Sequence, residues 1–239
     1  MPEWLAELRE IFFRIVSSRN LWELAGIGLS SGIAAYFGAR GAQRVISKNN
    51  TLEASRRDIH LISSAQMICL SIANSAMAMK RQHVRPLSEN YSKQVSIARE
   101  GVERSLPTVH IQMDLQKLPV PFLATTQLEK ILFENISLSG RALSAFNALI
   151  GAINLMRESI IDRNDLVDRW HEQGMEQEKI LRKYLSFPDE RGFDEIYSNL
   201  VDAILSYTND VIFFSMILEN DLRAIGEDMR AKFPGNDPP

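Results

Sequence analysis

A single cysteine, Cys69, stands in 239 residues, which excludes an intramolecular disulfide, a four-cysteine zinc site and any CxxC redox pair. Twelve glycines and nine prolines are too few for a collagen-like or low-complexity chain. Neither sign of charge dominates: 27 Lys and Arg meet 30 Asp and Glu, a net of −3, which disfavours a dedicated nucleic-acid binder. The four histidines, at 60, 83, 110 and 171, are scattered, and none has another within metal-ligand spacing. HExxH, the P-loop pattern GxxxxGKS/T and the dinucleotide fingerprint GxGxxG are all missing. No metal and no cofactor is therefore predicted.

What is present is apolar substance and an uneven charge. Forty-five per cent of residues are hydrophobic, ample for a packed core and against wholesale disorder. Residues 1–50 carry four acids and six bases, residues 51–124 six acids and nine bases, and residues 125–239 twenty acids and twelve bases. A basic front and an acidic rear suggest two ends facing different surroundings.

Trp4, Leu5, Leu8, Ile11, Phe12, Ile15 and Val16 recur at helical spacing opposite Glu3, Glu7, Glu10 and Arg14, which predicts an amphipathic helix over residues 1–20. Leu24 to Ala39 then runs without a charge. Sixteen residues rise only about 24 Å, but Leu21 and Trp22 bring the stretch near the length of a membrane span. Trp22 and Tyr36 sit near its two ends, where amphipathic rings prefer the interface. Gly28 and Gly32 form a small-xxx-small pair that lets helices approach in lipid. We expect a single transmembrane anchor over residues 21–48. Arg40, Arg44 and Lys48, with Arg56 and Arg57 beyond, put the long C-terminal part on the cytoplasmic side.

Residues 49–232 read as an antiparallel bundle of long helices, and residues 233–239 as a disordered tail. Two apolar stripes run from Leu52 to about Arg85, one through Ile59, Ile62, Cys69, Ala73 and Ala76, the other through Leu61, Ala65, Ile68, Ile72 and Met79; Pro86 should end this helix. A second helix, to about Leu106, carries Tyr91, Val95, Ala98 and Val102. Val109, Ile111, Met113 and Leu115 alternate with polar residues, and Pro119 and Pro121 follow. A lone strand has no partner here, so residues 107–125 read as an extended strap along the bundle. From Gln127 to His171 no proline intervenes, and one long helix is expected. The last helix shows a heptad stripe: Phe193, Tyr197, Leu200, Ile204, Tyr207, Val211, Phe214 and Leu218, extended by Leu222, Ile225 and Met229.

Little of this is chemistry. The only GxSxG match, Gly28 to Gly32, lies inside the apolar run and lacks the strand-turn-helix setting of a nucleophile elbow. Lys80, Arg81 and Arg85, with His83, gather near a helix end, where cations complement the dipole and form a candidate anion contact. Arg163-Asn164, with His171 further on, partly resembles the HEPN ribonucleases, helical enzymes marked by an arginine, a polar residue and a histidine a few positions later. His171 comes later than in that motif, and Arg104 with His110, which has about its spacing, has Pro107 between. That resemblance implies a nuclease-type effector, Arg163 stabilising charge and His171 acting as acid or base. The favoured expectation is a membrane-tethered helical interaction or effector protein acting as a homo-oligomer, with the lipid bilayer and a protein as partners. A ligand-sensing bundle without an anchor is the third reading.

Overall fold

The structure, a computed structural model, describes residues 19–134, 136, 138–188 and 194–232, with side chains from Gly38 onward. The predicted amphipathic helix and the tail therefore lie outside the described residues, apart from Arg19 and Asn20. Every regular element among the described residues is helical, with no strand. The chain divides into two units, Met1–Arg56 and Arg57–Pro239.

Helix α1 (Arg19–Met79) supplies all the described residues of the first unit. Every side chain from Gly38 to Thr51 is exposed, including Val45 and Ile46. Thr51 and Ser55 donate their hydroxyls to carbonyls one turn back, Ser47 and Thr51, at 2.9 and 2.8 Å, so this stretch satisfies its short polar side chains locally.

In the second unit α1 buries Ile62, Ala65, Cys69, Ile72, Ala76 and Met79, alternating three and four residues apart. A π-helical turn, Lys80–Val84, follows, and α2 (Arg85–Glu103) continues directly. Pro86 thus does not end the helix. In an α-helix its ring would strike the carbonyl four residues back. The π turn changes the pairing, with the Arg85 N–H donating to the Lys80 carbonyl five residues back. The same turn shifts the helix face by one residue. Regular spacing after Met79 would turn His83, Pro86, Asn90 and Lys93 inward; instead Val84, Leu87, Tyr91, Gln94, Ala98 and Gly101 are buried, and the seam resumes in phase.

Four more helices follow: α3 (Thr125–Glu134), α4 (Gly140–Glu172), α5 (Gln177–Tyr184) and α6 (Ile196–Lys232). The single helix expected from Gln127 to His171 is two. Ser139 is extended (φ −143°, ψ 166°) and Gly140 takes φ +60°, a left-handed conformation glycine adopts without a Cβ clash. Gly174, φ +55°, ends α4, and the Met175 N–H reaches back to the Trp170 carbonyl at 3.3 Å, the hydrogen bond of a Schellman cap. α2 ends at Glu103, leaving Leu106 outside it and Val102 exposed.

The seam of α6 is rotated from the hydropathy stripe. Tyr197, Ile204, Val211 and Leu218 are buried as expected, but the alternate positions are Val201, Thr208, Ser215 and Leu222; Leu200, Tyr207 and Phe214 are half-buried. Thr208 and Ser215 lose their polarity to the helix itself, donating to the carbonyls of Ile204 and Val211 at 2.6 and 2.5 Å. A hydropathy reading counts those hydroxyls as outward-facing, although here they lie inside.

α4 and α6 share the broadest packing. Near one end of α6, Gly226 sits against Ile62, and Asp221 is ion-paired to Arg141; near the other, Tyr197 packs on Tyr91 and Trp170. One close approach depends on glycine. A Cβ on buried Gly101 would overlap the Val109 side chain. Gly101→Ala therefore sets a steric cost of about 1–3 kcal/mol against a helix-propensity gain of about 1 kcal/mol. A lowered urea midpoint with an unchanged slope is the expected result.

Cys69 is fully buried. Burial, then the neighbouring Glu219 carboxylate, push its thiol up from 9.0 to about 12. A thiol whose folded pKa is raised favours the fold while protonated. That contribution is complete below pH 9 and is lost as pH climbs through about 12. The native protein should leave Cys69 unlabelled by a thiol reagent at pH 8 and label fully in denaturant.

On length and composition, two helical stretches among the residues described with side chains are apolar enough to cross a membrane, Gly38–Glu103 and Ile196–Lys232. Both also supply core residues, Ile62 to Met79 in the first and Tyr197 to Leu222 in the second.

Candidate functional site

The α4 seam repeats every seven residues through Ala142, Leu149, Met156, Arg163 and Trp170, all buried. Arg163 thus occupies a position where the repeat asks for an apolar side chain. It is 0% exposed, and no acid among the described residues pairs with it. Its partners are all neutral: main-chain carbonyls of residues 106–124, which are neither helix nor strand, the Tyr197 hydroxyl and, at 3.5 Å, the Asn164 amide oxygen. Nη1 donates to the Gln116 carbonyl at 2.7 Å, and Nη2 to the Asp114 carbonyl at 2.9 Å and the Tyr197 hydroxyl at 3.0 Å. Tyr197 in turn donates to the same Asp114 carbonyl at 2.8 Å, and the guanidinium carbon lies 5.4 Å from its ring centre. A planar fork spanning two carbonyls is what arginine can do and lysine cannot.

The neighbouring side chains hold the same segment. Asn164 accepts from the Leu118 N–H at 2.9 Å and donates to its carbonyl at 2.8 Å. On α2, Gln94 accepts from the Gln112 N–H at 3.0 Å, and Asn90 donates to the Gln112 carbonyl at 3.3 Å. Gln94 also donates to Asn90 at 3.2 Å, tying the two amides together. Residues 112, 114, 116 and 118 are therefore gripped along one edge, every second residue. Ile111, Met113 and Leu115 lie half-buried between them, and Leu118 and Leu123 are buried. The Asp114 carboxylate accepts from the Gln116 N–H at 3.2 Å.

Behind the fork stands an aromatic cluster. The Tyr184 and Tyr197 ring centres are 4.8 Å apart, Tyr91 lies within 5.4 and 5.7 Å of the two, and Trp170 stacks on Tyr197 at 5.6 Å. Burial raises the Tyr197 phenol, opposed by the Arg163 charge; burial raises Tyr184 too. The Tyr184 hydroxyl lies near the Asp114 main chain but makes no hydrogen bond of acceptable geometry, and Arg163 Nε has no acceptor. Tyr91 also lines an open cleft of about 620 Å³, with Val95, Arg99, Phe187 and Glu195 on its walls.

The other predicted site residues lie apart from this cluster. His171 is exposed, two turns beyond Arg163 on α4, a rise of about 12 Å, so the structure does not bring the two onto one open surface. Lys80, Arg81 and His83 sit on the π turn and Arg85 at the start of α2; Lys80 and His83 are half-buried, and Arg85 donates to Glu89 at 2.7 Å. Trp22, Gly28, Gly32 and Tyr36 lie in α1, in the part described by its backbone alone. Among the described residues no group of three or more His, Cys, Asp or Glu could hold a metal ion.

The chain matches no family model, no curated protein and no solved structure. Function must therefore be read from the residues themselves. Sequence reasoning passed over Asn90 and Gln94, and read Asn164 only as a neighbour of Arg163 and Tyr197 only as a member of an apolar stripe. Two signals pointed to them: an arginine inside a seven-residue apolar repeat, and a strap whose main chain has no strand to pair with.

Proposed function

We propose that this chain is a membrane-tethered helical interaction protein that acts as an oligomer, with an antiparallel bundle as its effector part on the cytoplasmic side. The observation that carries the reading is one element: α1 includes both the uncharged run Leu24–Ala39 and the first core residues, Ile59 and Ile62. A helix saturates its own backbone hydrogen bonds, which is the condition for crossing lipid. Gly28 and Gly32 support close self-association of the anchor, and Arg40, Arg44 and Lys48 support the orientation. The partners are then the lipid bilayer, further copies of this chain and a protein.

Fractionation tests the tether. The full chain should sediment with membranes, resist carbonate extraction and need detergent for release. A chain lacking residues 1–48 should partition to the soluble fraction and keep its helical circular dichroism. Recovery of the full chain as a detergent-free monomer ends the proposal. It favours instead a ligand-sensing bundle, for which the cleft beside Tyr91 is the site to probe.

A further inference from the structure

We infer that the groove crossed by residues 111–118 is a site for an extended peptide read through its main chain, and that this chain fills it with its own strap. The inference deepens the interaction role proposed above, yet it does not need the tether: fractionation decides one and peptide binding the other.

Three features of the contacts carry it. Asn90, Gln94, Arg163, Asn164 and Tyr197 come from three helices, and all of them engage N–H or C=O groups of the strap. Those groups belong to residues 112, 114, 116 and 118, one edge of an extended chain. Side chains at alternate positions, Ile111, Met113 and Leu115, turn partly inward. Main-chain bonding along one edge, with shallow pockets for every second side chain, is how extended peptides are bound in trans. Recognition of this kind depends little on the side chains of the strap, so another segment with apolar residues at alternate positions satisfies it equally well.

The strap also leaves the groove incompletely satisfied. Arg163 and Tyr184 are both 0% exposed, yet Arg163 Nε and the Tyr184 hydroxyl find no partner with the strap in place. A buried donor without an acceptor is costly, and the guanidinium's other nitrogens are held only by neutral oxygens, the Gln116 and Asp114 carbonyls, the Tyr197 hydroxyl and the Asn164 amide. The partner that fits is thus an extended polypeptide segment, apolar at alternate positions, competing with the strap.

The test uses the full chain, in phospholipid nanodiscs if it fractionates with membranes and in buffer if it does not, and a fluorescent synthetic peptide with the sequence of residues 109–119. A second peptide is N-methylated at the positions of Gln112 and Leu118, which removes the two N–H groups the groove accepts. The protein is compared with a Met113→Ser/Leu115→Ser variant, whose own strap is loosened while all five gripping residues remain. Saturable binding is expected, about tenfold tighter to the variant because the competing occupant is weakened, and about tenfold weaker for the N-methylated peptide. Absence of saturable binding to the folded variant, or equal binding of the two peptides, overturns the inference. Should the variant lose its helical circular dichroism, hydrogen exchange of the natural chain decides. Gln112 and Leu118 amides exchanging about a hundredfold faster than those of Ile153 and Met156 mark a strap that opens by itself. Exchange at the same rate as those core amides overturns it.

Discussion

Arg163→Ala is expected to cost the fold about 3 kcal/mol, the largest loss from any single side chain in the strap site. The substitution leaves the Gln116 carbonyl without its donor and the Asp114 carbonyl with Tyr197 alone, at about 1–3 kcal/mol for each buried polar group left unmet. It also opens a cavity where a fully buried side chain had been. Relief from burying a cation acts in the opposite direction and keeps the net below the sum. Arg163→Lys retains the charge but offers a single ammonium in place of the fork, so an intermediate loss of about 1–2 kcal/mol is expected. His171→Ala, at an exposed position, should stay within about 0.5 kcal/mol. Urea midpoints at constant slope give the ranking. An Arg163→Met variant as stable as the natural chain would show that the buried charge is only a burden and that the strap is held by its apolar side chains.

The π turn leads to the second large effect. Val84 follows Met79 by five residues, one more than the α-helical seam needs, so deletion of Gln82, an exposed residue, restores regular spacing and keeps the buried face in phase. The remaining difficulty is Pro86, whose ring then meets an α-helical carbonyl at a cost of about 3 kcal/mol. The deletion combined with Pro86→Ala should therefore unfold cooperatively with a midpoint near that of the natural chain. Inserting one alanine between Gln82 and His83 does the reverse. It turns everything beyond by about 100° and carries Tyr91, Gln94 and Ala98 out of the core. Loss of a cooperative transition, with strong binding of a hydrophobic dye, is the expected outcome. Equal damage from the insertion and the combined deletion would refute the phase argument.

The same region shows how far local reasoning reaches. The wide apolar face from Ile59 to Met79 read as two adjacent stripes, and the buried seam takes members of both. That face and the stripe through Tyr91 and Ala98 were legible, because apolar residues at three-and-four spacing need no knowledge of a partner. Their connection was not. A proline read in isolation predicts a helix end, and only the requirement that both stripes face one core reveals a π turn. On α6 the positions of Tyr197, Ile204, Val211 and Leu218 were legible, but Thr208 and Ser215 hid half of the seam. Arg163 was singled out from its neighbours Asn164 and His171 as chemistry. Its seven-residue spacing from Met156 and Trp170 carried the other meaning, a cation inside a seam.

From its residues alone this protein was bound to be helical, with long apolar faces, an uncharged run near the amino terminus and an extended segment interrupted by prolines. Each of these follows from backbone preference and spacing over a turn or two, which is information a short window holds. Tertiary structure alone decided that Arg163 is sealed, that Gly101 must stay bare and that the strap is gripped by its main chain. The bonds responsible join residues far apart in sequence: Arg163 reaches Gln116 across 47 positions and Tyr197 reaches Asp114 across 83. Whether a polar side chain is buried or solvated depends on the acceptors brought to it, and no local pattern contains them.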